Sequence, residues 1–132
     1  MNERKVIVAG WFLVDPEKRD EVVESYNGLV LRARSARGCL DLAISADPVD
    51  PSRINNFEIW QSEEDLDSWR AVANPPKRIT PILGGEMEKH GIHRSGPPFR
   101  TLLDWAAVVT VDYELSGDTP SNRRWPHPIR SA

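Results

Sequence analysis

The chain has 132 residues with 39% hydrophobic content, enough for one domain with its own core and too little for two. Its net charge of −3 and the three arginines after Asp118, spread over a short tail, give no ordered basic face and exclude nucleic acid as an expected partner. A single cysteine, Cys39, rules out an internal disulfide and a cysteine metal cluster within one chain, and reads as a small buried residue rather than a nucleophile.

Residues 6–14 (VIVAGWFLV) are β-branched and aromatic and apolar on both faces, which predicts a strand covered on both sides. Asp15-Pro16 suits a helix start, with the cap residue followed by proline at the first helical position. Apolar residues at 22, 23, 26, 29, 30 and 33 keep helical spacing up to Gly38, where the helix should stop. Leu40, Leu42 and Ile44 alternate with Asp41, Ala43 and Ser45, a second strand. The turn-forming run 47–52 (DPVDPS) leads into a third strand, 53–60 (RINNFEIW). Ser62 with the acids that follow it resembles a capping box, and Leu66, Trp69, Val72 and Ala73 give the next helix its buried stripe. Asn74-Pro75-Pro76 must interrupt that helix. Another helical turn is expected over 77–83, ended by Gly84-Gly85, then a fourth strand over 86–94 closed by Ser95–Pro98. Alternation at 107–115 predicts a further strand, and the last 17 residues, rich in Pro, Ser and Arg, predict no regular structure.

This βαβ-βαβ order is the ferredoxin-like split-βαβ pattern: an α+β sandwich with two helices on one face of an antiparallel sheet. The other sheet face would be bare although the first strand is apolar on both sides, so a homodimer through the sheet faces is expected. The domain is placed at 1–96 and a C-terminal extension at 97–132. No run approaches the ~18 apolar residues of a membrane span, and no signal leader is read, so the expectation is a cytoplasmic protein.

On the third strand Asn56, Glu58 and Trp60 share one face and Asn55, Phe57 and Ile59 the other. An amide, a carboxylate and an indole in line suit the wall of a small polar-aromatic pocket. Glu58 there is a substrate-binding group that could act as a base, the alternative being a structural hydrogen bond or ion pair. His90 and His93, on opposite faces of a strand, could not share an ion, so no metal site is expected. Either one could face the pocket and bind substrate.

The stretches 6–16 (VIVAGWFLVDP), 37–51 (RGCLDLAISADPVDP) and 55–69 (NNFEIWQSEEDLDSW) together resemble the antibiotic biosynthesis monooxygenase (ABM) family, of the dimeric α/β-barrel superfamily. The resemblance covers roughly 5–95. It implies oxidation of a phenolic, anthrone-like or quinol molecule by O2, with no metal, flavin or haem as cofactor. It implies catalytic roles for Asn56 and Trp60, which match an Asn-x3-Trp spacing, and for Arg78 as an approximate match to an arginine further along. In that reading Asn56 bonds a substrate oxygen, Trp60 stacks on the aromatic face and offers its N–H to a peroxide, and Arg78 stabilises the phenolate. Trp69, a candidate substrate-binding residue, is similar to a helix tryptophan of haem-degrading relatives, which need an axial histidine about ten residues on, where Ile79 stands. The competing expectations are a non-catalytic small-molecule binder or structural dimer of the same fold, and an isomerase or decarboxylase using His90 or His93.

Overall fold

A computed structural model describes residues 4–99. Seven elements follow in order: β1 (Val6–Leu13), α1 (Arg19–Ser25), α2 (Asn27–Arg34), β2 (Cys39–Ala46), β3 (Arg53–Trp60), α3 (Glu63–Val72) and β4 (Gly84–Gly91). The strands form one sheet in the order β2-β3-β1-β4, each neighbour antiparallel. This is the ferredoxin-like α+β fold. Residues up to His93 make one compact unit, where the chain divides. The strand expected at 107–115 lies outside the described residues. Among the described residues no helix is long and apolar enough to cross a membrane.

The helical layer departs from the expected single long helix. The Asp15 side chain accepts from the Glu17 amide at 2.9 Å and its carbonyl from Lys18, so residues 15–18 close a turn and α1 begins only at Arg19. At Tyr26 the amide reaches back three residues, to Val23, and a second helix starts at Asn27. Asn27 and Gly28, both poor helix formers, sit where the axis breaks. Arg19 ties this layer to the sheet, its guanidinium donating to the carbonyls of Asp47, Asp50 and Arg53 at 3.0–3.2 Å.

The start of α3 follows the sequence reading. Buried Ser62 is its N-cap, accepting from the Asp65 amide at 3.1 Å and donating to the Asp65 carboxylate. Gly38, at φ +80°, passes so close that a Cβ there would meet the Asp65 carboxyl at 2.2 Å, so only glycine fits. Residues 73–83 hold no helix: the prolines at 75, 76 and 81 leave them irregular. Gly84-Gly85 do not end a helix but open β4, which starts two residues before the expected Glu86 and ends at Gly91.

The strand registers sort the sheet into two faces. Val6, Val8, Gly10 and Phe12 share a face with Ile54, Asn56, Glu58 and Trp60, and with Leu42 and Ile44. Helices cover this face, and the core of Val6, Val8, Leu29, Ala33, Leu42, Trp60, Leu66 and Trp69 lies on it. The opposite face carries Ile7, Ala9, Trp11 and Leu13 beside Arg53, Asn55, Phe57 and Ile59. These are half-buried, apart from Phe57, which is exposed.

Candidate functional site

β3 runs through the centre of the sheet, so its helix-facing row passes from full burial into a half-buried stretch. Ile54 and Trp60 at its ends are completely buried, while Asn56 and Glu58 between them are only partly covered. Glu58 is the hub. It accepts from the Trp60 indole N–H at 3.0 Å and from the Asn56 amide at 3.2 Å. Two N–H donors on one carboxylate hold its orientation and, through it, that of the Asn56 amide.

Two rows cross the sheet at this point, given by the registers. One runs Leu42–Glu58–Val8–Lys89 and the next Ile44–Asn56–Gly10–Met87. Gly10 has no side chain, and the backbone of β4 occupies the place of one. A side chain could not be added without moving β4, since a Cβ at Gly10 would lie 2.0 Å from the Glu86 carbonyl. Along these rows an amide and a carboxylate stand on β3 and Met87 and Lys89 on β4, with buried Val8 and the Gly10 backbone between them. Lys89 bonds to Glu63 in the first turn of α3, and this partner holds the Glu63 carboxyl below its usual range.

The remaining expected site residues fall elsewhere. Trp60 cannot stack on a ligand: it is wholly buried, with its ring against Trp69 at 6.2 Å between centroids and its N–H given to Glu58. Trp69 is likewise a core residue, with the Arg32 guanidinium 5.7 Å from its ring centre, and it lines the open cleft beside α3 rather than standing with Asn56 and Glu58. His90 pairs with Ile7, on the sheet face opposite Asn56 and Glu58, and is exposed. His93 lies beyond the end of β4, also exposed. Neither histidine stands beside Asn56 and Glu58. Arg78 is exposed in the irregular 73–83 segment, lining a cavity of about 20 Å³ with Phe12, Val22 and Tyr26 rather than with Asn56. That cavity holds little more than one water.

Gly10, Met87 and Lys89 were not foreseen. A helix-period or strand-period pattern names the residues that share a face on one strand but not which strand lies beside it. Cys39 sits next to this wall; burial pushes its thiol pKa up, with the charges of Asp41 and Glu58 adding to the effect, so it stays protonated near neutrality. Among the described residues no three His, Cys, Asp or Glu side chains converge to hold a metal ion. A larger open cleft of about 590 Å³ lies between α3 and residues 36–38. It is lined by Arg37, Gln61, Glu64 and Ser68 together with Ser62 and Asp65, which are bonded to each other in the helix cap.

The sequence profile of antibiotic biosynthesis monooxygenases matches residues 5–73, a stretch running from β1 through α3 and including the Asn56–Glu58–Trp60 wall. The chain belongs to the ABM family. No curated protein matches it in sequence. Several solved structures share the ABM fold at low identity. A protein from Shewanella oneidensis is similar at a TM-score of 0.59 and 16% identity, over 69% of this chain and 93% of its own. A candidate antibiotic biosynthesis monooxygenase from Bacillus cereus is similar at 0.55 and 20%, over 74% and 99%. The haem degrader MhuD from Mycobacterium tuberculosis is similar at 0.53 and 12%, over 70% and 99%. At these identities the likeness establishes the fold.

Proposed function

We propose that this ABM-family protein is a cofactor-independent monooxygenase that oxidises a flat phenolic, anthrone-like or quinol molecule with O2 beside Asn56 and Glu58, working as a homodimer. The observation that carries the reading is the hydrogen-bonded set Asn56–Glu58–Trp60 on the helix-facing side of β3, with Asn56 and Glu58 only partly covered. With one amide hydrogen on Glu58, Asn56 has its carbonyl oxygen and second N–H to offer. It can accept from a substrate hydroxyl or donate to the oxygen once ionised. An ionised phenol of this kind can pass one electron to O2; the resulting radical pair recombines to a peroxide, and loss of water converts a CH2 or C–H carbon into a carbonyl. The protein's part is to hold the ring and stabilise its anion.

Trp60 serves by fixing Glu58, and Glu58 by fixing Asn56, so both are positioning groups. Arg78 has no place in this version of the site. The homodimer would bury the apolar outer sheet face of Ile7, Ala9, Phe57 and Ile59. The haem alternative is weaker because Trp69 is packed into the core and Ile79 stands where an axial histidine would be needed.

Oxygen uptake by metal-free protein, measured against a panel of anthrones and hydroquinones, tests the proposal. Uptake above the uncatalysed rate, reduced about tenfold by Asn56→Ala, is expected from the loss of one substrate hydrogen bond. No uptake on any of them, with binding retained, would make the protein a small-molecule binder instead.

A further inference from the structure

We infer that the cleft between α3 and residues 36–38 binds a small neutral molecule through an amide or lactam edge, its carbonyl oxygen accepting from the Trp69 indole N–H and from Arg37. The site is separate from Asn56 and Glu58, which do not line it, and it stands or falls without the oxidation proposed above.

The cleft has a volume of about 590 Å³, within the range of small-molecule sites. Its two walls are tied together. The Gln61 backbone amide donates to the Gly38 carbonyl at 2.7 Å, and the Gly38 backbone, at φ +80°, lies against the Asp65 side chain. The walls therefore keep their spacing without a ligand. Trp69 is held too, stacked on Trp60 with ring centres 6.2 Å apart and with the Arg32 guanidinium 5.7 Å from its own ring centre. Arg32 in turn donates to the Ala73 and Asn74 carbonyls at 2.8 and 3.3 Å.

An unmet hydrogen bond points to the ligand. Trp69 is 8% exposed and lines the cleft, yet its indole N–H has no acceptor among the described residues. Its buried neighbour Trp60, by contrast, gives its N–H to Glu58. A buried indole N–H needs an acceptor, and the cleft is the side from which one can reach Trp69. The side chains of Arg37, Gln61, Glu64 and Ser68 also make no hydrogen bond or ion pair among the described residues. Trp69 and Arg37 offer only N–H groups, Glu64 only oxygen, and Gln61 and Ser68 both. Such a set fits a carbonyl oxygen next to an N–H. The lining sets Arg37 against Glu64 and Asp65, an acidic balance that favours a neutral carbonyl over a free carboxylate. Val72, 67% exposed, gives the ligand's ring an apolar surface.

Magnetic-resonance titration of the isotope-labelled full chain with 2-quinolone, whose ring carries a C=O next to an N–H, tests this. The Trp69 indole N–H resonance, assigned by its loss in Trp69→Phe, is expected to move downfield, while that of Trp60, already bonded to Glu58, moves much less. In calorimetry Arg37→Met, a change at an exposed residue, should weaken binding about tenfold, and Trp69→Phe by a similar factor. The N-methyl derivative of the quinolone, which lacks the donor, should bind about fivefold more weakly. Quinoline-2-carboxylate should bind no more tightly than the quinolone. A Trp69 resonance that stays fixed at millimolar quinolone would overturn the site. Binding indifferent to both Arg37→Met and N-methylation would overturn it as well. Tighter binding of the carboxylate would overturn the neutral edge as the ligand's chemistry.

Discussion

The two faces of β3 are built from alternate residues of one eight-residue strand, yet they are completed in different ways. On the helix-facing side the chain meets its own needs: Ile54 and Trp60 are fully buried, and Glu58 takes the N–H groups of both Trp60 and Asn56. On the outer side Arg53 lies over the Trp11 ring at 4.9 Å and donates to Asn55 at 2.7 Å, but Phe57 remains 39% exposed beside half-buried Ile59. One face is finished within the protomer, and the other has a polar end and an apolar middle. A buried indole that needs a partner for its N–H brings a carboxylate with it, and that carboxylate then orders the site. The outer face has no such internal claim on its apolar groups, and it is the face that the proposed homodimer would bury.

That contrast can be broken first at Trp60. Trp60→Ala should cost about 3–5 kcal/mol in denaturant unfolding, since it opens a cavity against Trp69 and leaves Glu58 without its indole donor. A loss below about 1 kcal/mol would show that the helix-facing side is not the stabilising one. At Phe57 the opposite outcome is expected: Phe57→Lys should leave the circular dichroism unchanged and shift the sedimenting mass from dimer toward monomer. A wild-type protein that sediments as a monomer at all concentrations would end the account of the outer face.

The smallest effect is expected at the turn that joins β2 to β3. The Asp47 carboxylate accepts from the amides of Val49 and Asp50 and from the Asn55 side chain. These bonds, led by that from Asp50, lower its pKa from the usual 3.8 to about 2. A carboxyl whose pKa is depressed in the folded state adds stability that is fully present above its unfolded value. That contribution is lost as the pH falls from about 4 through about 2. Asp47→Asn should flatten this part of the stability-against-pH curve, which acid titration followed by fluorescence will show; an unchanged slope would place the acid sensitivity elsewhere.

Particular residues show where the sequence was legible. The Ser62 cap, the alternation of β3 and the polar turn at 47–52 were readable because each is settled by neighbours a few positions away. The break at Tyr26 was not, because the apolar spacing continues through it and only the packing shows two axes. Gly84-Gly85 looked like a helix end because glycine ends helices more often than it opens strands. Here Gly85, at φ +157°, would place a Cβ 2.5 Å from the Trp11 carbonyl, so the close approach of β1 requires it. His90 could not be assigned to a face without the pairing that puts it beside Ile7.

The sequence alone therefore determined the kinds of element, their order, the ABM family resemblance and the shared face of Asn56, Glu58 and Trp60, because periodicity and capping act over a few residues. Tertiary structure decided that this face looks toward the helices, that Trp60 is spent on the core, and that Arg78 and the histidines stand apart from Asn56 and Glu58. Those outcomes depend on which strands lie side by side and in what register, and long-range pairing of this kind leaves no mark in local spacing.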